Sequence, residues 1–233
     1  MAYTYMDLTN EVLRSVNEVE FSDVSEFNAA VDFPQHVKDI VNMSIRDICN
    51  HHNNRWSFQR EEGSQLLTVG DNRYPFDADV SHVDWKSFYI ARDDALDLPN
   101  QRSLAWYHWA LYCQGLRDQD ANNAGETERY GKPILVTNPE ENSNIEFILS
   151  PIPDAAYTVK WAQYVQPTEM TAATDVPIVP MRFKNVILLR AKHYIFEYRE
   201  DMEQSARAER KYDDSLHAMR RILMPTPDAI YTW

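Results

Sequence analysis

The sequence predicts an α+β chain, with helices from both ends forming a bundle and a β-rich, barrel- or sandwich-like domain inserted between them. Three observations predict it. Apolar residues recur at helical spacing from Leu8 to Val19 and again from Val37 to Ile48. From Trp56 onward the pattern changes to short runs rich in β-branched and aromatic residues. After Pro180 the helical spacing returns. Helices at the two ends pack together only if the middle leaves and returns at nearby points. The expected division is therefore 1–55 with 180–224 as the bundle, 56–179 as the insertion and 225–233 as an extended tail.

The first helix is expected from Asp7 to Val19, with Leu8, Val12, Val16 and Val19 on one face. Thr4 with Asp7 three residues on resembles a capping box with a shorter acid. "FSDVSEFNAA" reads as a connection. A second helix is expected from Pro34, since proline suits a first turn, with Val37, Ile40, Val41, Ile45 and Ile48 as its stripe. "NHHNN" ends it. "WSFQR", "SQLLTV", "NRYPF" and "VDWKSFYI" read as strands, with "GDN" as a turn. "SLAWYHWALYCQGL" reads as a helix, with Trp106, Trp109, Ala110, Cys113 and Leu116 at helical spacing. Strands return in "PILVTN", "IEFILS" and "YTVKWAQYV", and the prolines of "SPIPDAA" make that stretch a turn. "QPTEMTAATDVPIVP" reads as a linker. Phe183, Val186, Ile187, Tyr194 and Tyr198 then line one helix. Asp201 with Gln204 opens another, striped by Met202, Ala206, Tyr212, Leu216, Met219 and Leu223. Pro225 and Pro227 break it.

Charge narrows the function classes. The formal net charge is −13, which argues against a duplex-DNA reader, because such proteins need basic patches to displace counterions. Residues 1–179 hold 13 Lys/Arg against 28 Asp/Glu, and residues 180–224 hold 10 against 7. No apolar run approaches membrane-spanning length. The opening residues, "MAYTYMDLTNEVLR", lack the basic and apolar regions of a secretory signal. Cys49 and Cys113, far apart in sequence, read as two thiols made in a reducing compartment.

Three constellations could carry chemistry. Asp47, Cys49, His51 and His52 have the residue types that bind zinc, but no second ligand pair lies at ligand spacing. They read as a polar helix end. Asp77, Asp79, His82 and Asp84 could do acid–base work, and exposed strand positions explain them as well. Trp106–Trp109, "WYHW", could stack on bases or sugars, or form a core edge. No Walker loop, G-x-S-x-G or G-x-G-x-x-G occurs. No catalytic residue, metal ligand or cofactor is assigned.

The segment order resembles the head-to-tail adaptor family of short-tailed bacteriophages, the tail tubular protein A or gatekeeper type. The resemblance is carried by "RWSFQREEGSQLL", where a helix end is followed by Trp56, Phe58, Glu61, Glu62 and Gly63. "LTNEVLRSVNEVE", "FILSPIPDAAYTVKWAQY" and "VPIVPMRFKNVILLRAKHY" add to it in the right order. It implies a non-enzymatic virion protein of the tail or neck, made in the host cytoplasm. About twelve copies would form a ring between the portal protein and the tail nozzle protein, and DNA would pass through without specific binding. No membrane is involved. Such proteins commonly grip the portal with a terminal segment, and Pro225, Pro227, Ile230, Tyr231 and Trp233 are the candidates here. Trp56 and Phe58 are expected on one strand face, packing where the two domains meet. An acidic channel wall would repel phosphate over about one screening length, roughly 8 Å at physiological salt. Three alternatives stay open. One is a neck or tail-completion protein of a contractile-tailed phage. Another is a metal-dependent hydrolase using Asp77, His82 and Asp84. The last is a single-strand nucleic-acid binder using the Trp-rich segments.

Overall fold

The computed structural model describes residues 3–51, 55–92, 102–117, 130–139 and 146–224. The chain is α+β, with helices at both ends and the β region between them. It divides into two compact units, Met1–Gln59 with Gln166–Trp233, and Arg60–Val165.

The helical unit begins with α1, Tyr5–Ser15. Thr4 and Asp7 form the full capping box, each side chain bonding the other's backbone N–H. The helix ends early because Asn17 turns the chain at φ 59°. Val19 therefore leaves the predicted stripe and is 82% exposed. The presumed connection contains a short helix, α2, Val24–Asn28, capped by Asp23 on the Glu26 N–H at 2.8 Å. Its Phe27 is buried edge-on between Tyr5 and Phe21, each ring 5.2 Å away. Lys38 Nζ sits 4.3 Å over that ring and donates to the Phe27 carbonyl, which offsets the cost of placing an ammonium in a buried site. Helix α3, Asp32–Asn50, buries all five predicted stripe residues, Val37, Ile40, Val41, Ile45 and Ile48.

Trp56 and Phe58 are not on a strand. Ser57–Gln59 is a 3-10 turn, so the two aromatics stack at 5.8 Å, with ring planes 15° apart. Trp56 is fully buried in the helical core and donates its indole N–H to the Ile48 carbonyl at 2.8 Å. That bond takes up a carbonyl in the last turn of α3, which helix geometry leaves without an intrahelical partner.

Residues 166–179, assigned to the insertion from sequence, pack in the helical unit. Met170, Ala173 and Val179 join its core. Asn42 donates to the Met170 carbonyl and accepts from the Met170 N–H. A 3-10 turn at Met181–Phe183 leads into α5, Lys184–Tyr198, and then α6, Met202–Leu223. Asp201 caps α6 on the Gln204 N–H, as expected. The first turns of α6 bury Ser205 and Ala208, whereas Met202 and Ala206 are exposed. Ser205 and Ala208 continue back along the same helix the spacing of Tyr212, Leu216, Met219 and Leu223, and Ala206 falls off that face. Tyr198, expected on the packed face of α5, is the last residue of that helix and is exposed.

The β unit is built on two four-stranded sheets. One is ordered β1-β10-β3-β4, with β1 at Arg60–Leu66, β3 at Val80–Ile90, β4 at Arg102–Ser103 and β10 at Thr158–Val165, all antiparallel. The other is ordered β2-β8-β7-β5, with β2 at Arg73–Pro75, β5 at Ala105–Trp106, β7 at Leu135–Thr137 and β8 at Glu146–Ser150. Phe88, Val159 and Trp161 from the first sheet share one core with Tyr74, Val136 and Phe147 from the second, as in a sandwich. Two expectations fail here. The helix read from Ser103 begins only at Trp109, as α4, Trp109–Gly115, because pairing of 102–106 with β3 and β7 already satisfies that backbone. The "SPIPDAA" turn includes β9, Ile152–Pro153, paired in parallel with β6, Tyr130–Gly131.

Gly63 explains the end of the "REEG" run. It lies opposite Trp161 in the β1–β10 register, and a Cβ at this position would fall 2.3 Å from the indole Cε2. Trp161 Nε1 donates to Gln163 Oε1, whose amide donates to Glu61.

Two substitutions test these packings by denaturant unfolding of the full chain. Trp56→Ala, by emptying a fully buried site, should cost about 3–5 kcal/mol. Gly63→Ala should cost about 1–3 kcal/mol, because the indole must move out of the core it fills.

Candidate functional site

The sequence-level candidates fall in separate places. Asp47 of the proposed ligand cluster faces α5. Its carboxylate accepts from Arg190 at 2.9 Å and from the Tyr194 hydroxyl. Cys49 is buried, and burial pushes its thiol up to about 12, so it is not a reactive nucleophile at neutral pH. His51 meets Arg220 at 2.9 Å, and His52 lies outside the described residues. Among the described residues, no three His, Cys, Asp or Glu side chains are grouped to hold a metal ion.

In the second constellation, His82 stands opposite Tyr164 in the β3–β10 register, with the rings 6.0 Å apart. The Asp84 carboxylate accepts from the Lys86 N–H in a local turn. Asp77 and Asp79 are exposed. Asp77 and Asp79 precede the strand that carries His82 and Asp84, and no three of these side chains are grouped to hold a metal ion. In "WYHW", Trp109 is buried with Tyr112, Leu135 and Ile148, while Trp106 is 40% exposed and Tyr107 also reaches solvent. His108 caps α4 through its ring nitrogen. The tail candidates Pro225, Pro227, Ile230, Tyr231 and Trp233 lie outside the described residues.

The described helical unit instead shows two features absent from the sequence reading. One is a polar seam at Asp47, where Arg190 lies over the Tyr194 and Tyr212 rings at 4.5 and 5.1 Å. A second ion pair, Lys184 to Glu11 at 2.8 Å, joins α5 to α1. The other feature is an open groove of about 580 Å³ formed by α1, α5 and α6. Leu188 and Leu189 contribute its apolar part, Arg14, Lys192 and Lys211 its cations, and Asp214 and Glu11, the latter paired with Lys184, its acids. Arg14 is paired with Glu20. Lys192 and Lys211 have no ion-pair partner among the described residues. Lys192 follows Leu188 by one turn of α5, whereas Lys211 comes from α6 and has no sequence spacing that links it to them. The arrangement can bind and position a partner surface; it does not assemble a nucleophile, a base and an oxyanion site.

The chain matches the family described as SU10 adaptor protein over residues 3–230, nearly its whole length. No curated protein matches it. No helix among the described residues is long and apolar enough to cross a membrane.

The seam predicts a pH dependence. Burial first, and then the bond to Asp47, push Tyr194 up to about 12 from an ordinary 10.0, and burial does the same to Tyr212. Folding thus favours the neutral phenols. The stability they contribute is complete below pH 10 and should be lost as pH rises toward 12. Ultraviolet titration should show phenolate from these two residues appearing together with the loss of helix. A Tyr194→Phe/Tyr212→Phe chain should unfold at higher pH than the wild type.

Proposed function

The chain belongs to the SU10 adaptor protein family, and from that premise we propose that it forms an adaptor ring between the portal and the tail nozzle of a short-tailed phage. Membership alone makes it a structural phage adaptor protein. The finer reading adds the ring, its place below the portal and a central passage for DNA. It assigns no catalytic step to the chain. The observation that carries the reading is the extent of the match, which spans the helical unit and the β unit together rather than one module.

Three features support it. Residues 60–165 hold 17 Asp/Glu against 9 Lys/Arg, a balance that disfavours adhesion to phosphate. Trp56 anchors the chain's exit from the helical unit with a buried hydrogen bond. Phe58 stacks on Trp56 at 5.8 Å, so the residues at which the chain leaves the helical unit are fixed to that unit. Pro225, Pro227, Ile230, Tyr231 and Trp233 supply the prolines and aromatics of a portal-gripping segment, since aromatic side chains are frequent interface anchors.

Electron microscopy of the purified chain mixed with the portal of the same phage tests this. The expected result is a ring stacked on the portal, with few rings in the free protein. No association with the portal would overturn the reading.

A further inference from the structure

Four exposed apolar side chains gather at one end of the helical bundle. That end is made by the C-terminus of α1, the N-terminus of α3 and the α5–α6 turn. Arg199 ties them together: it lies 4.8 Å over the Phe33 ring and donates to the Val16 carbonyl. Tyr198 stands 4.6 Å from the His36 ring. Val31 and Met202 are each 68% exposed, Tyr198 62% and Val19 82%, and Arg199 also pairs with Glu18, next to Val19 in the chain. The three non-glycine residues with positive φ among the described residues, Asn17, Asp32 and Glu200, all lie at this end. Each lies within two residues of one of the outward apolar side chains. Left-handed backbone costs energy for such residues and persists where surrounding structure imposes it.

The rim of this tip is acidic. Residues 16–33 carry five Asp/Glu and no Lys/Arg, and residues 197–203 carry four Asp/Glu with Arg199. Duplex DNA and a second acidic tip are therefore disfavoured occupants. The complementary surface is present on the same chain. The groove of α1, α5 and α6 presents apolar Leu188 and Leu189 beside Lys192 and Lys211, both without an ion-pair partner among the described residues.

We propose that the acidic, apolar tip of one copy docks in the groove of a second copy. Tyr198 and Met202 lie against Leu188 and Leu189, and Glu197 and Glu200 face Lys192 and Lys211. Two different patches meet, so the contact is head-to-tail and leaves each copy with one free tip and one free groove. Repetition then gives a closed ring or an open filament. Closure into a ring rests on the function proposed above; the contact itself does not. Lys/Glu pairs at the rim set register and salt dependence, while apolar burial supplies the attraction.

Sedimentation equilibrium of the full chain, up to millimolar concentration and at low and high salt, reads the contact. The wild type should self-associate, more weakly as salt rises. Lys192→Glu/Lys211→Glu and, separately, Glu197→Lys/Glu200→Lys should each weaken association about tenfold or more. A chain carrying all four changes should recover it, because the signs are exchanged on both sides. Tyr198→Ser/Met202→Ser should weaken it at every salt concentration. Circular dichroism establishes that each variant is folded; a charge pair whose variant unfolds is replaced by its Gln counterpart. Absence of self-association overturns the proposal, as do charge exchanges without effect or a folded four-change chain that does not recover. Portal binding is measured in parallel. Its loss in a wild type that still self-associates counts against the adaptor reading alone.

Discussion

The side-chain amide of Asn42 ties α1 and α3 to the segment that returns from the β unit. It donates to the Met170 carbonyl at 2.9 Å and accepts from the Met170 N–H at 3.2 Å, and it also donates to the Tyr5 hydroxyl. Tyr5 in turn donates to the Lys38 carbonyl. The first turn of α1 sends its free N–H groups to the same returning segment, Tyr5 to Asp175 and Met6 to Ala173. Those donors have no intrahelical partner, and leaving them buried and unpaired would cost about 1–3 kcal/mol each. Asp175 holds the returning segment in shape by accepting from the Thr171 and Ala172 N–H groups. Helices α5 and α6 reach α1 and α3 from the point this knot defines.

Once the return is placed, the interhelical pairs follow. Lys184 meets Glu11, Arg190 meets Asp47, and Arg199 meets Glu18 and the Val16 carbonyl. Each pair is partly exposed, so its contribution to stability is small. Their role is directional: they set the phase of α5 against its neighbours, while Val186, Ile187, Ala191 and Ile195 provide the burial. The same phase puts Leu188 and Leu189 beside the groove. Within the β unit, Gly63 and Trp161 play the comparable part. The absent Cβ admits an indole that stacks on Phe88 at 5.3 Å and joins the two sheets through Phe147.

Legibility from sequence varied with the range of the interaction involved. The α3 stripe from Val37 to Ile48 was readable because burial on one face imposes a 3.6-residue period. The caps at Thr4 and Asp201 were readable because they act within one turn. Helix α2 was not, because a five-residue segment has too few turns to show a period, and it depends on Lys38 for its place. Trp56 and Phe58 mimicked a strand because a two-residue spacing of aromatics also fits a tight turn. Residues 166–179 were read as part of the insertion, since nothing in that stretch reveals its pairing with Asn42, 128 positions from Met170. Most of the groove was hidden for the same reason: Arg14, Lys192 and Lys211 come from three helices and share no spacing.

The sequence by itself determined the α+β class, the order of helical and β segments, the helix caps and the acidic balance. All of these follow from local periodicity, capping chemistry and composition, and through the "RWSFQREEG" region so did the resemblance to phage adaptors. Only the tertiary structure decided which residues bound the units, where Trp56 packs, and which charges and apolar side chains stand together at the bundle tip and in the groove. Those outcomes depend on contacts between residues far apart in the chain. Such contacts are selected by shape, by hydrogen bonds to otherwise unpaired backbone and by turns at Asn17, Asp32 and Glu200, and none of these has a local period to read.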